Sequence, residues 1–500
     1  MSLATHLPAL QVVVPMLTAP VLVLLRDARL CWIAALLTSV MSFAIAVALT
    51  AVVLDGQQIS YAMGGWAAPY GIELRVDALS AILLLVTTGA STLALLAGRA
   101  SLLGQVGEGR QSLLLAAWLL TLAGLTGILV SGDAFNIFVF MEISSLATYI
   151  LVAGGPQRRV LPAVFKYLIT GTVGATFYLI GVGMVYMMTG TLNIADMEVR
   201  LAEVGDTNLV FVAAGFITIG LALKAAIFPL HAWLPNAYTF APHMVTVFIA
   251  ACSTKVSLYV LLRMDFFVFQ KNLVDHELQF AFFLMPLAAL GILFGSIAAI
   301  FEQNIKRILA FSSVAQLGYI LLGASLVSVA GFNAAVLHLF NHALAKSALF
   351  LAVACLGMRF AKLRLEELRG VGRYMPWTLT AFALAGLSLI GIPGTAGFVS
   401  KWALIGAVLE QGVLGVALVA LIVISSLLAV VYVGRVVEQL WFGEPESERA
   451  GAHAAVREAP TLMLVVTWIA VAANFWFGFN ASLSGELAGQ AATEFLRHLQ

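Results

Sequence analysis

A chain of 500 residues in which 62% are hydrophobic and only 10% are charged falls outside the soluble globular class, where charged residues make up about 25%. Its net charge of +1 offers nothing to attract nucleic acid or an acidic partner, so where the charges sit matters more than their sum. Three cysteines, Cys31, Cys252 and Cys355, lie in or beside apolar segments without CxxC spacing, which excludes a disulfide framework and a zinc or iron–sulfur pattern; no metal and no cofactor is expected.

A helix needs roughly 20 apolar residues to cross roughly 30 Å of hydrocarbon. Runs of that kind fall at 8–25, 30–54, 77–98, 112–131, 134–153, 163–189, 208–231, 241–262, 279–301, 308–328, 332–357, 374–408, 413–434 and 459–480. They predict an all-α, polytopic membrane protein of about 14 transmembrane helices, a single integral membrane domain over 1–500. The first run lacks a basic leading segment and a second follows almost at once, so it reads as a retained helix, not a signal peptide.

Fourteen spans place the connections alternately on two sides. Seventeen basic residues fall on one side: Arg26, Arg29, Arg99, Arg110, Arg158, Arg159, Lys166, Lys306, Arg307, Arg359, Lys362, Arg364, Arg369, Arg373, Arg435, Arg449 and Arg457. Five fall on the other: Arg75, Arg200, Arg263, Lys271 and Arg497. The positive-inside rule puts the richer side in the cytoplasm and both termini outside; a bacterial inner membrane is the expected location. The connection at 190–207, with Asp196, Glu198, Glu203 and Asp206, lands on the outer side.

The remaining four basic residues, Lys224, Lys255, Lys346 and Lys401, stand inside apolar segments, as does Glu142. A charge near the bilayer centre costs about 3 kcal/mol on insertion scales and more by other measures, so such residues face a bundle interior or a wet path. Two of the spans carry helix breakers beside their lysine. Pro229 and Pro235 follow Lys224 in LKAAIFPLHAWLP, and Gly391, Pro393, Gly394 and Gly397 precede Lys401 in LIGIPGTAGFVSKW. Proline removes a backbone donor, and freed backbone is tolerated at membrane depth only where protein or a water-filled cavity satisfies it. Interrupted helices at matching places in two halves point to a transport site between inverted repeats. The broken spans are the seventh and twelfth, so units of helices 4–8 (112–262) and 9–13 (279–434) would place them equivalently.

A buried lysine gives up its proton more readily than one in water, and a neighbouring carboxylate restores it. Glu142, about ten residues into the fifth span, is expected to pair with Lys224 and to switch it. The alternative is a static ion pair joining two helices. His338, His342 and Lys346 are spaced i, i+4, i+8, which puts three titratable groups on one helical face and suits proton relay. Metal binding would need a signature such as HExxH, which the chain lacks. Gly171, Gly174, Gly181 and Gly183 read as close helix packing, and His231 and His243 are placed near the cytoplasmic surface.

The stretches GDAFNIFVFMEISSLATYILV, LKAAIFPLHAWLPNAY, STKVSLYVLLR, LHLFNHALAKSALFL and LSLIGIPGTAGFVSKWALI resemble the antiporter-like membrane subunits shared by Mrp cation/proton antiporters, respiratory complex I and membrane-bound hydrogenases. YAMGGWAAPYGIELRVDALSA and GIPGTAGFVSKW look most like the D-type subunit of the Mrp antiporters. The resemblance covers nearly the entire chain. It implies that Glu142 and Lys224 form the ion pair of helices 5 and 7, that Lys255 is the bridging lysine of helix 8, and that His338, His342, Lys346 and Lys401 continue the row. It implies a fold of fourteen helices with two inverted five-helix units, with half-channels to the two faces and water between the charges. The M-type subunit of complex I usually has glutamate where Lys401 stands, and the L-type has a long lateral helix for which this chain has no length; the N-type keeps the lysine. The expected role is that of the proton-translocating subunit of a monovalent cation (Na+)/proton antiporter, with other Mrp-type membrane subunits as partners. The alternatives are a proton-pumping subunit of a redox-driven NADH:quinone oxidoreductase or hydrogenase, and a solute permease or passive scaffold. No catalytic centre of its own is expected.

Overall fold

The computed structural model describes residues 3–25, 27–269, 277–444 and 456–496, and Arg26, Lys271, Arg449 and Arg497 lie outside them. In chain order the helices are α1 (Leu7–Leu25), α2 (Ala28–Leu54), α3 (Ala78–Gln105), α4 (Gln111–Val130), α5 (Ala134–Ala153), α6 (Val160–Thr189), α7 (Ile194–Val204), α8 (Asn208–Ala225), α9 (Leu234–Phe240), α10 (His243–Arg263), α11 (Glu277–Phe301), α12 (Ile305–Ser325), α13 (Val329–Gly357), α14 (Pro376–Ile390), α15 (Ala396–Leu409), α16 (Gly412–Phe442), α17 (Thr461–Phe479) and α18 (Ser482–Phe495). Thirteen of them are long and apolar enough to cross a membrane. The predicted span 374–408 is two shorter apolar helices in series, α14 and α15, so each of the fourteen predicted spans has its counterpart.

Helix is the outcome because, in hydrocarbon, every backbone N–H and C=O must be satisfied within its own segment. Side chains supply what the ends lack. Asp77 accepts from the Ser80 N–H at 2.9 Å, Asp133 from the Asn136 N–H at 2.7 Å, and Ser328 from the Gly331 N–H at 3.0 Å.

The connections gather on two faces, as the parity of the spans requires. On one face the hairpin β1 (Ile59–Ala62) and β2 (Glu73–Val76) meets Ser131 through Leu74, Asn193 through Glu73 at 2.8 Å and Glu494 through Arg75 at 3.3 Å. On the other face Asn304 bridges Arg364, the His243 N–H donates to Gln105 at 3.0 Å, and the Arg359 guanidinium donates to the Glu458 carbonyl at 2.6 Å. The second face carries the basic residues.

Burial separates core helices from peripheral ones. The spans on α4, α10, α12 and α13 are 89%, 89%, 94% and 94% buried, against 28% for α16, so groups on α10, α12 and α13 are enclosed by protein. The glycines of α6 do what their spacing suggested in three positions of four. A Cβ on Gly174 would meet the Gly220 carbonyl of α8 at 2.8 Å, Gly171 lies against the Tyr149 hydroxyl and Gly181 against Ile217, whereas Gly183 faces open space.

Short elements escaped the sequence pattern. The connection at 190–207 contains α7, the hairpin fills 59–76, and α18 follows the last span. Arg263, assigned to an outer connection, is instead buried and clamps Asp77 at 2.7 Å. Burial alone would raise the Asp77 carboxyl, yet the Arg263 guanidinium and the Ser80 N–H hold it below the usual carboxylate range. Asp265, in the π-helical turn that extends α10, is also buried and accepts from the Thr218 hydroxyl at 3.0 Å.

Candidate functional site

Glu142 sits midway along α5 and Lys224 in the last turn of α8. Their charges stand 3.6 Å apart, with the Lys224 side chain 7% and the Glu142 side chain 27% exposed. Lys224 Nζ also donates to Ser145 Oγ at 2.6 Å. The lysine owes its position to the stop of α8. Ala226 turns into the left-handed region (φ 56), Pro229 cannot donate, and the chain resumes as α9 with Pro235 in its first turn. The Leu223 carbonyl, which the Ala226 N–H caps at 3.3 Å, also accepts from the Trp233 indole N–H at 2.9 Å. Beside the pair, a cavity of about 30 Å³ lined by Ser144, Ser145, Tyr149, Lys224, Ser253 and Ser257 opens toward α10, room for one or two water molecules.

Lys255 on α10 is fully enclosed and donates to the Ala250 carbonyl at 2.5 Å. Lys346 on α13 donates to the Leu309 carbonyl and to Ser312 Oγ, each at 2.6 Å. His338 bridges α12 and α15, one ring nitrogen 2.9 Å from Gln316 Oε1 and the other 2.8 Å from Ser400 Oγ. Its ring stacks on His342, centroids 6.3 Å apart at 7°, as the i, i+4 spacing anticipated. Neither ring nitrogen of His342 has a hydrogen-bond partner among the described residues, and the charges of Lys255, Lys346 and Lys401 all act on it.

The second break holds Lys401. Gly391 ends α14 at φ 92 and Gly394 follows at φ 86, a region that costs residues with a Cβ about 1–2 kcal/mol. Gly397 lies so close to the Ser388 carbonyl that a Cβ there would collide with it, and Pro393 stands between these glycines. The carbonyls of Leu389 and Ile390, left without helical partners, accept from Lys401 Nζ at 3.2 and 2.8 Å, and Ser426 Oγ at 3.0 Å. Its ammonium stands 5.0 Å from the Tyr319 ring, which packs 5.4 Å from His338.

The structure thus brings Glu142 to Lys224, His338 to His342, and Lys255, Lys346 and Lys401 to one electrostatic neighbourhood. It gives the last three lysines carbonyl and hydroxyl oxygens in place of carboxylates. Gln316, Tyr319, Ser145, Ser312, Ser400 and Ser426 were missed. Gln316, an amide inside an apolar span, was a readable signal; isolated serines in membrane helices are not. His243 lies at the basic face as expected, while His231 is buried against Phe228 and Phe294 within the bundle. Among the described residues no cluster of three or more metal-ligating side chains occurs.

The D-type subunit of the Na(+)/H(+) antiporter of Bacillus subtilis (strain 168) is 30% identical over 490 residues, 97% of this chain and 96% of its own length. "NADH-quinone oxidoreductase subunit N" of Desulforudis audaxviator (strain MP104C) is 42% identical over 477 residues, 93% of each chain. A chain in the structure of the Mrp complex from Dietzia sp. DQ12-45-1b superposes with a TM-score of 0.89 at 28% identity, covering 99% of this chain and 98% of that one. With residues 131–429 matching the family described as NADH:quinone oxidoreductase/Mrp antiporter, TM, the chain belongs to that family of multi-pass membrane subunits.

Proposed function

We propose that this chain is the proton-translocating subunit of a multisubunit monovalent cation (Na+)/proton antiporter of the Mrp type. The observation that carries the reading is the enclosed row itself: an ion pair at one helix break, a lysine held by freed carbonyls at the other, and Lys255, His342, Lys346 and His338 between them. With Glu142 close, Lys224 keeps its proton; with Glu142 withdrawn, a lone desolvated ammonium sheds it. The step from Lys224 toward Lys255 would run across the small cavity that Lys224 shares with Ser253 and Ser257 of α10, and the groups beyond take up or release protons in turn. Side-chain hydroxyls and water link the steps.

Orientation and partners follow from physical cost. The basic face is assigned to the cytoplasm by the positive-inside bias. Glu142, 27% exposed halfway along a spanning helix, would meet hydrocarbon in an isolated subunit, so a neighbouring membrane subunit covers that flank. The cations exchanged are protons and sodium.

A second reading, a proton-pumping subunit of a redox-driven quinone oxidoreductase or hydrogenase, is favoured by the 42% identity to a protein named as the N-type subunit of such an enzyme. The chemistry of the row would be the same and the electron carriers would belong to a partner. Co-purifying polypeptides separate the two: small antiporter subunits in one case, iron–sulfur and flavin subunits in the other.

Glu142→Gln tests both against a permease or passive scaffold. It keeps the shape, removes the anion and leaves Lys224 without its carboxylate partner, so that the desolvated amine rests in its neutral form. Proton transport in vesicles should collapse while the protein still accumulates, and Glu142→Asp should retain more activity than Glu142→Gln. Near-normal transport at several pH values with Glu142→Gln would defeat the switch.

A further inference from the structure

A fifth enclosed lysine lies outside the row. Lys306, in the first turn of α12, is 2% exposed and its Nζ donates to the Ala241 carbonyl at 2.7 Å. No carboxylate forms an ion pair with it among the described residues. Ala241 is also part of the wall of a cavity of about 1060 Å³ on the basic face, together with Gln105, His243, Asn304, Arg307 and Gly357. The His243 ring rests on Gly357, where a Cβ would strike it, its Nδ1 has no hydrogen-bond partner among the described residues, and the charge of Lys306 acts on it. In the other direction α12 runs straight to the row. Leu309 and Ser312, whose oxygens hold Lys346 Nζ at 2.6 Å, lie three and six positions past Lys306, about 4.5 and 9 Å along the axis.

We propose that Lys306 is the proton-binding site through which the basic-face cavity feeds Lys346, with His243 as the group beside it at the cavity wall. A proton from cavity water binds the neutral Lys306 amine; the ammonium then passes it, through the Ser312 hydroxyl or water, to the neutral amine of Lys346, and Lys306 is left neutral. This rests on the proton-translocation reading above. The other charged groups facing the cavity are committed elsewhere. Arg307 holds Glu302 at 2.6 Å, Arg359 holds the Arg457 and Glu458 carbonyls, Lys362 faces Glu367 and Arg364 faces Glu366, each at 4.0 Å, and Arg159 cannot give up its proton.

The competing role is structural: an ammonium capping the C-terminus of α9, whose last carbonyl neighbour is Ala241. The two roles rank substitutions differently. In the whole complex reconstituted in vesicles, with pH varied on the basic face and fixed on the other, Lys306→Arg should lower transport about a hundredfold and flatten the basic-face pH dependence, with assembly and thermal stability kept. Lys306→His should remain active with its half-point moved toward about 6.5, and Lys306→Gln should be inactive. Should arginine not assemble, the His and Gln variants decide, since a mere cap makes them equal. An active arginine variant, or equal His and Gln variants, overturns the proposal. Glu142→Gln in the same vesicles separates the failures: its loss beside a normal Lys306→Arg removes this inference alone, whereas normal Glu142→Gln removes the reading beneath it.

Discussion

Lys401 is solvated by its own protein. Two carbonyls freed at the end of α14, one hydroxyl and the face of Tyr319 replace the water that an ammonium would otherwise hold, and this cage is favourable to any cation. A purely structural charge there predicts that Lys401→Arg is the best replacement, since a guanidinium suits several acceptors. A proton site predicts the reverse, because arginine stays protonated with a pKa above about 12. We expect Lys401→Ala and Lys401→Arg both to abolish coupled transport, and Lys401→Glu, which can sit among carbonyls only when protonated, to restore part of it. Proton and cation flux at matched expression decides; an active arginine variant beside a dead glutamate variant would sink the relay role. The positions of all seven titratable groups were legible in the sequence, because ionisable residues are rare in apolar runs and a charge there is costly to leave facing lipid. Their acceptors were not, because backbone carbonyls carry no letter and serine is common in membrane helices. Lys306 was misread as a connection residue for a related reason. It stands two positions from Asn304, and only packing tells a helix start on the surface from one sunk beneath it.

Elements carry the next level of the argument. The two interrupted helices run in opposite directions, α8 starting from the face of the hairpin and α14 from the basic face, and each break delivers a lysine. Breaks were readable because glycine and proline are punctuation. The hairpin, α7 and α18 were not, being too short for a periodic signal. Gly391 links element to residue. At φ 92 it occupies a conformation that a Cβ penalises, and that Cβ would stand 2.8 Å from the Lys401 side chain. Gly391→Ala should therefore destabilise the protein by about 1–2 kcal/mol and displace Lys401 from its carbonyls. Thermal unfolding of the purified protein and vesicle transport should both fall. Gly183→Ala, on a helix with open space around the position, is the matched control and should change neither. A Gly391→Ala variant with full transport would mean that Lys401 needs no fixed cage.

For the whole molecule, the commitment most open to failure is its direction across the membrane. Packing sorts the connections into two faces, and the uneven spread of lysine and arginine supplies the orientation. Among the described residues Arg158, Arg159, Arg359, Lys362 and Arg364 cluster on the face of the large cavity, while Arg75 and Arg200 stand on the other. Both faces carry ion pairs, Arg75 with Glu494 at 3.3 Å and Arg200 with Asp196 at 2.9 Å on one, Lys362 with Glu367 and Arg364 with Glu366 at 4.0 Å on the other, so the bias rests on the count of lysine and arginine. Basic connections resist translocation, and the same bias fixes which solution the Lys306 cavity samples. Reporter fusions after residues 158 and 365 should read cytoplasmic, and a fusion after residue 200 should read external. The opposite pattern would invert the assignment and make the cavity an outer vestibule. A mixed pattern would mean that a span has been miscounted, which the pairing of α14 with α15 as one crossing makes the place to look.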